Sequence, residues 1–593
     1  MFFALLRLVM RIVSIKHHIC TADSSSCSLK ICLVFFLVVL LVGCRGNKPT
    51  ASDTLDTFCY NEPDGIASLD PALASYKAAI WAGSQIFNGL VEMDSNGTIV
   101  PCLARTWTVD STGTAWTFTL RTDVAYHNDS CFGASRTRRL VASDVKYSIE
   151  RICDARTMTT GLWVFRTRIA GADAFHKATK SGTPSNISGL TVLNDSTIRI
   201  TLSEPFAPFL ALLTIPYAWI VPREAVEVYG TDFGRHPVGT GPFAFSWWQA
   251  DVALTLKRSP RYFKFDVTGK RLPYLSTVRI TFLRDRKNEF LEFTRGEYDM
   301  VSSVDGTLIP ALFEPTGELR PPHNRYNVFR ASAHSVEYYG ILLDTTVPAG
   351  RSSPLATNRY LRQALNYAID RHRIVTYILS GRATPATHGV VPPSMPGFSD
   401  TVCGYTYDPK RARELLAKAG YPNGSGLPEL LLQLGNSDVS ASVAEAVQSM
   451  WKEIGVRVTL RQIDFPQHLA MVRAGELPMW RTSWIGDYPD PENFLALFIT
   501  ATIAPKGPNT THFSKALLDS LYAEALSPAL SFAERSALYH RMEQIVLEES
   551  PWIFLYHDGL LRLTQPTVHG YRLDGADRLV LENVFKKLPS AHH

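Results

Sequence analysis

The 593 residues include only nine cysteines, and no two of them stand in a C-x-x-C spacing. That removes the paired-thiolate pattern on which structural zinc sites and dithiol redox centres rely. There is no G-x-x-x-x-G-K-[ST] loop, so the chain has no phosphate cradle of the P-loop kind. A G-x-S-x-G elbow is missing, and the 16 histidines form no H-E-x-x-H helix, which takes away two common hydrolase signatures. Nor is either sign of charge in excess: 60 Lys and Arg stand against 55 Asp and Glu, and no long cationic run offers a footprint for nucleic acid. Internal repeats and Gly/Ser-rich linkers are lacking as well, so the parts of the chain are expected to be joined by ordered crossovers.

Long apolar runs are absent with one exception. After Lys30 the chain reads Ile31-Cys32-Leu33-Val34-Phe35-Phe36-Leu37-Val38-Val39-Leu40 and continues into Leu41-Val42-Gly43-Cys44. This run is short for a spanning helix and ends in small residues and a cysteine, as the apolar region of an export leader does. Leu41 to Cys44 resembles the bacterial lipobox, in which the cysteine becomes the acylated first residue. An uncleaved N-terminal anchor is the alternative, and either reading puts the body outside the cytoplasm. The 29 residues before the run are long for a leader's basic region, and Met10 is an alternative start.

Removing the leader takes Cys20, Cys27 and Cys32, and acylation uses Cys44, leaving Cys59, Cys102, Cys131, Cys153 and Cys403. Five is odd, so in an oxidising compartment at least one stays free. The pairing favoured is Cys131 with Cys153, closing a loop around Arg136-Thr137-Arg138-Arg139. Five free thiols are the alternative.

What the chain does have is enough apolar material, 46% of its residues, for two lobes with substantial cores. Alternation in Thr114 to Leu120 and Ser196 to Leu202 predicts half-buried strands. Between them Ser143-Asp144 opens a helix with a side chain ready to cap it. From about residue 355 helical periodicity takes over, in Arg359 to Asp370, Pro409 to Ala419 and Val443 to Ile454, then near Lys515 to Leu526 and Phe532 to Glu549. Asp408 and Gly420 bracket one of these as cap and stop. Gly455 releases a strand at Val456 to Leu460, and Pro551 to Tyr556 reads as a buried strand, so the construction is α/β. Gly239 and Gly241, between Pro237 and Pro242, are expected to turn the chain with φ values closed to other residues. A dinucleotide fingerprint fails there, because Phe243-Ala244-Phe245 leads into a strand where a helix is needed.

Dispersed segments carry a resemblance along nearly the whole mature chain. They are Leu69-Asp70-Pro71, Gln85 to Val91, Ile99 to Trp107, Val141 to Ser148, Pro237 to Phe243, Arg362 to Arg371 and Trp484 to Pro491. In order and number they resemble the family 5 extracellular solute-binding proteins, the oligopeptide, dipeptide and nickel group of ABC importers. The resemblance implies a two-lobed periplasmic-binding-protein-like clamp with an extra subdomain and discontinuous lobes. It also implies boundaries: a lipoprotein leader at 1–43, a lipid-anchored tether at 44–55, lobe I at 56–330 with a subdomain inserted at about 98–225, lobe II at 331–558, and a return to lobe I at 559–593. The implied partners are a short peptide, permease and ATPase subunits, and a membrane reached through the N-terminal lipid. The molecule is expected to be a monomer without cofactor, metal or catalytic residue.

The segment Trp480 to Pro491 is too broken for a helix, and it concentrates tryptophan, glycine, carboxylates and prolines. By the same resemblance the Asp of a Trp-x-x-Asp segment pairs with a ligand's α-ammonium group, which points to Asp487, with Trp484, Gly486 and Tyr488 beside it. A buried ammonium needs such a carboxylate to offset its lost hydration. Asp487 as a turn cap is the alternative, and Asp490 with Pro491 reads as the start of the next helix. Two departures from the family pattern stand out. Asp344 replaces a frequent Asn and is expected to add charge near the lobe boundary, and the stretch after His127-Asn128-Asp129, through Leu140, reads as an external decoration. A metal-chelate receptor is a further reading, with His334, His388, His468, His512 and His557 scattered singly. Oligosaccharide cargo, an exported hydrolase, and a chaperone or adhesin on the same fold also remain open.

Overall fold

The computed structural model describes residues 56–94, 97–183, 185–314 and 317–587. The leader, Cys44 and the expected tether lie outside the described residues. The two alternating runs form strands Ala115–Leu120 and Thr197–Thr201, paired antiparallel with Trp116 opposite Ile200 and Phe118 opposite Ile198. Ala104–Val109 and Leu190–Asn194 complete a four-stranded sheet. The residues that alternate inward are almost fully buried, and helix Ala142–Cys153 packs on the sheet. That helix begins one residue earlier than its expected cap. Asp144 reaches back to accept from the Val141 N–H at 3.0 Å. Arg138 then clamps the Asp144 carboxylate at 2.8 Å and Glu224 at 2.6 Å, so this one residue ties two helices together, while Gly133 to Arg136 lie exposed on the surface as expected.

A larger sheet runs through Val458–Ile463, Leu430–Gly435, Met479–Ile485, Ser335–Ile341, Trp552–Thr564, Met300–Val301, Thr57–Asn61, Thr277–Thr281, Ala253–Arg258 and Phe243–Gln249. Its 13-residue strand Trp552–Thr564 extends well past the expected end at Tyr556. The first half of this strand pairs with Ser335–Ile341, Tyr339 lying opposite Ile553. Its second half pairs with Asn327–Ser332, Ser332 lying opposite Gly559, and with Met300–Val301. The boundaries expected at 330 and 558 fall beside this Ser332 to Gly559 pairing. Apolar cores gather on either side of it: one large cluster draws on residues between Phe58 and Phe282 and on Val568 to Val584, while two others lie between Val336 and Phe554 or Tyr556. The last described strand folds back beside the first, where Lys586 Nζ donates to the Thr57 carbonyl at 2.8 Å and pairs with Asp299 at 2.8 Å.

Most second-half helices follow the periodicity. They are Arg359–Tyr367, Pro409–Lys418 capped by Asp408, Asp438–Glu453, Ala516–Ala525 and Phe532–Glu549. The first ends at Tyr367, earlier than expected, and the buried Arg371 beyond it donates to the carbonyls of Phe554, Asn366 and Tyr405 at 2.9 to 3.2 Å. These oxygens replace the water a buried guanidinium would otherwise lose.

Three expectations are corrected. Gly239 and Gly241 do not adopt positive φ. They are glycines because the backbone of Gln85 to Phe87 lies against them: a Cβ on Gly239 would stand 2.1 Å from the Ile86 carbonyl oxygen, and one on Gly241 2.6 Å from that of Gln85. Cys131 and Cys153 are not joined, and all five described cysteines are free thiols. Cys153 is sealed in the large core, whereas the Cys131 N–H is held by Asp129 in a separate half-buried turn. Asp344 lies past the far end of Ser335–Ile341, where it meets His512 Nδ1 at 3.1 Å. The strand alone, at about 3.3 Å per residue, puts it roughly 20 Å from Ser335.

Glu543 is fully enclosed in helix Phe532–Glu549, and burial pushes its carboxyl up to about 7 although the Val390 and Val391 N–H groups donate to it at 2.9 Å. An unfolded glutamate titrates near about 4.3, so this residue's contribution to stability falls as pH rises from that value towards its folded one. Glu543→Gln keeps an acceptor for both N–H groups and removes the titration. Its melting temperature relative to wild type should therefore be more favourable at pH 8 than at pH 5. An equal difference at both would refute the assignment.

Candidate functional site

Strand Met479–Ile485 delivers the broken segment. It pairs along its whole length with Ser335–Ile341, but on its other side the ladder has a single pairing, Gln433 opposite Trp480. From Arg481 to Ile485 that second edge carries no strand among the described residues. The chain then leaves the sheet: Gly486 N–H donates to the His334 carbonyl at 2.8 Å, and a Cβ on Gly486 would press within 3.0 Å of Phe494. Gly486 is thus a packing residue at the turn.

Asp487 follows with its side chain exposed to solvent on one flank and ringed by protein elsewhere. This enclosure raises its carboxyl above the usual aspartate range, opposed only by the Asn493 amide, 3.4 Å away. No Lys, Arg or His forms an ion pair with it among the described residues. The negative charge is felt by Tyr217, whose hydroxyl lies 2.8 Å from Thr160 Oγ1 in the part built on the four-stranded sheet; burial first, and then Asp487, push the Tyr217 hydroxyl upward. Asp487 therefore stands where the two parts of the molecule face one another.

Trp484 is half-buried, and its indole N–H donates to Asn493 Oδ1 at 3.0 Å, the same oxygen that accepts from the Asp487 N–H at 3.0 Å. Tyr488 is not open to a ligand: it is 4% exposed, belongs to the large first core, and donates its hydroxyl to Glu492. Asp490 accepts from the Glu492 N–H at 3.0 Å and pairs with Arg535 at 2.9 Å, which makes it part of the start of helix Glu492–Leu495. Of the four expected contacts, the structure leaves Asp487 and part of Trp484 accessible and buries Tyr488 in packing.

Sequence reasoning passed over Asn493, the residue that fixes this loop. Its signal was a polar amide in the first turn after Pro491, a position from which a side chain reaches back to preceding backbone. Two surface cavities, of about 490 and 420 Å³, are lined by other residues, such as Asp110, Glu204 and Pro528 in one and Ser332, His334 and Asp574 in the other. Neither cavity includes Asp487 or Trp484 in its lining. Among the described residues no three His, Cys, Asp or Glu side chains converge as metal ligands. Each of His334, His468 and His557 is hydrogen-bonded to a backbone carbonyl.

A family model for bacterial extracellular solute-binding proteins, family 5, matches residues 98–505. The chain belongs to this family. Family 5 relatives include the heme-binding protein A of Haemophilus influenzae, 28% identical over 543 residues, covering 88% of this chain and 92% of the relative. The dipeptide-binding protein of Escherichia coli is 26% identical over 543 residues, covering 90% and 95%. Among solved structures, a periplasmic murein tripeptide-binding protein in its unliganded open form superposes with a TM-score of 0.76 at 25% identity, over 91% of this chain and 98% of that one. Family 5 members are two-lobed solute-binding proteins, which are not enzymes. No described helix here is long and apolar enough to cross a membrane.

Asn493→Ala should release Trp484 and the Asp487 backbone together, costing about 1 to 3 kcal/mol in the two donors left behind. The expected sign is a lower melting temperature with faster hydrogen exchange at the Asp487 amide. Unchanged exchange there would show that the loop is held by other means.

Proposed function

We propose that this chain captures short peptides between its two lobes and hands them to the membrane subunits of an ABC importer. The observation that carries the reading is the Asp487 carboxylate: open to solvent on one flank, without an ion pair among the described residues, and next to a strand edge that carries no strand partner among them. An extended peptide can add to such an edge through its main chain, with affinity that depends little on side chains. Its α-ammonium group then lies at Asp487, where mutual charge offsets the desolvation of both. Contacts made by one ligand to both lobes favour the closed arrangement, since only there are they made together. The names of relatives support peptides as cargo. Acylation of Cys44 after leader removal completes the proposal, holding the binding protein on the outer side of a membrane beside its importer; intact mass of the membrane-extracted protein tests that step.

Native mass spectrometry of protein purified without denaturation should show co-purified peptides. In calorimetric titration with di- to pentapeptides, Asp487→Ala or acetylation of the peptide amine should weaken binding by about 10- to 150-fold, as loss of a hydrogen bond to a charged group does. Because enclosure raises the Asp487 carboxyl, protonation removes the counter-charge early on acidification. Affinity for free-amine peptides should therefore fall through a midpoint above about 3.9, the ordinary aspartate value. Protein that emerges empty and ignores all such peptides would refute peptide cargo and leave non-peptide solutes.

A further inference from the structure

Between strands Ala253–Arg258 and Thr277–Thr281 the chain forms a small hairpin. Asp266 N–H donates to the Lys270 carbonyl at 2.9 Å, Leu272 N–H donates to the Lys264 carbonyl at 3.1 Å, and Phe265 bridges Arg271 across it. One carboxylate sets the turn. Asp266 Oδ1 accepts from the Thr268 N–H at 2.8 Å, the Thr268 hydroxyl at 2.7 Å and the Lys270 N–H at 2.9 Å, while Oδ2 accepts from the Tyr274 hydroxyl. The tip is thus fixed, and its one acid is saturated with donors. What remains open to solvent is apolar and cationic. Val267 is fully exposed and Phe265 half-exposed. The Arg271 guanidinium lies 4.4 Å over the Phe265 ring, and Lys270 Nζ lies 4.9 Å over that of Tyr274.

A single exposed apolar side chain is ordinary on a protein surface. The surroundings of this one are not. Tyr274 meets the Phe585 ring edge-on at 5.7 Å, and Lys587 Nζ lies 5.1 Å over the same ring. Arg258 donates to the Leu275 carbonyl at 2.8 Å. Arg258, Lys270, Arg271 and Lys587 are all exposed, and none of the four forms an ion pair among the described residues. The chain also enters the body here. The carbonyl of Asp56, the first described residue, accepts from the Ser276 N–H at 2.8 Å and from the Ser276 hydroxyl at 3.0 Å, two residues from Tyr274. The Asp56 side chain is the exposed acid of this face. Cys44 precedes Asp56 by twelve residues, a length that reaches at most about 40 Å.

We propose that this face is a membrane-contact surface, resting on the anionic phospholipid headgroups of the bilayer that holds the acyl chain. Val267 and Phe265 enter the interface, where apolar and aromatic side chains gain burial at headgroup level. Lys270, Arg271, Arg258 and Lys587 meet phosphate, each cation raising partition about fivefold. The proposal rests on acylation of Cys44 for its setting, since a lipid within that reach brings a bilayer to this side of the body. The affinity of the face for lipid does not depend on acylation. An acyl chain and a basic, apolar face are two signals that add on one membrane.

The test protein is the chain from Arg45 onward, which carries neither leader nor acyl group; the core clusters among the described residues all lie between Phe58 and Val584, so its fold is whole. The probe is vesicles of three parts phosphatidylcholine to one part phosphatidylglycerol at low salt, with phosphatidylcholine alone as the comparison. Wild type should co-sediment with the anionic vesicles, not with the neutral ones, and should be released by high salt. Lys270→Gln/Arg271→Gln should weaken partition about 30-fold, the product of two cations. Val267→Asp, which touches no hydrogen bond of the turn, should weaken it about tenfold. Arg156→Gln/Lys177→Gln removes two exposed cations from the inserted part and should bind as wild type does. Wild type that ignores anionic vesicles would overturn the proposal, as would hairpin variants that bind like wild type or an equal loss in the Arg156 and Lys177 pair. Intact mass decides acylation separately: if Cys44 carries no lipid, the tether reading fails and the vesicle series alone decides the face.

Discussion

Two extended stretches, 327–341 and 552–564, stay hydrogen-bonded to each other while the chain passes from one part of the molecule to the other. At the junction Ala333 N–H donates to the Asp558 carbonyl at 2.7 Å, Asp558 N–H to Ser335 Oγ at 3.2 Å, and His557 Nδ1 meets the Ser335 carbonyl at 2.8 Å. Gly559 has the Arg382 carbonyl oxygen 1.7 Å from where a Cβ would be, so only glycine lets strand Ala383–Pro385 join the crossing as a third member. The parts are therefore joined by paired strands and not by a free loop. The same ladder sets the register of the site, since Ser335 lies opposite Ile485 and Gly486 is bonded to His334. Anything that twists the crossing displaces Asp487 through one strand.

The alternation of small apolar and hydroxyl residues made the antiparallel strands legible, and helical periodicity with Asp408 and Gly420 made most second-half helices legible. These signals are local: each residue's neighbours along the chain decide its exposure. Asp487 was singled out by the family resemblance, since no local pattern separates it from the turn cap that is its alternative. Tyr488 misled because an aromatic beside an exposed carboxylate looks alike in sequence whether it faces solvent or core, and its partner Glu492 became visible only in three dimensions. Gly239 and Gly241 misled for the opposite reason. Turn chemistry explains a glycine locally, whereas their cause is the backbone of Gln85 to Phe87, about 150 residues away, pressing on their Cα atoms. Cys131 and Cys153 are close in sequence, but helix Ala142–Cys153 carries one into the core and leaves the other in a turn.

The carboxylates of the candidate loop show how burial sorts otherwise similar groups. Asp490 has Arg535, Glu492 has two phenols, and Asp487 has a single distant amide. Asp487 is also the only one of the three that is open to solvent, so water takes the place of a partner there. Exposed pairs such as Arg223 with Glu227 are screened and contribute little by comparison.

The first and last described strands end side by side, with Lys586 reaching both Thr57 and Asp299. Tension applied between Thr57 and Lys586 is consequently borne within one part and does not cross the paired strands of the junction. A label at either end would likewise ride with a single body and stay silent about the other.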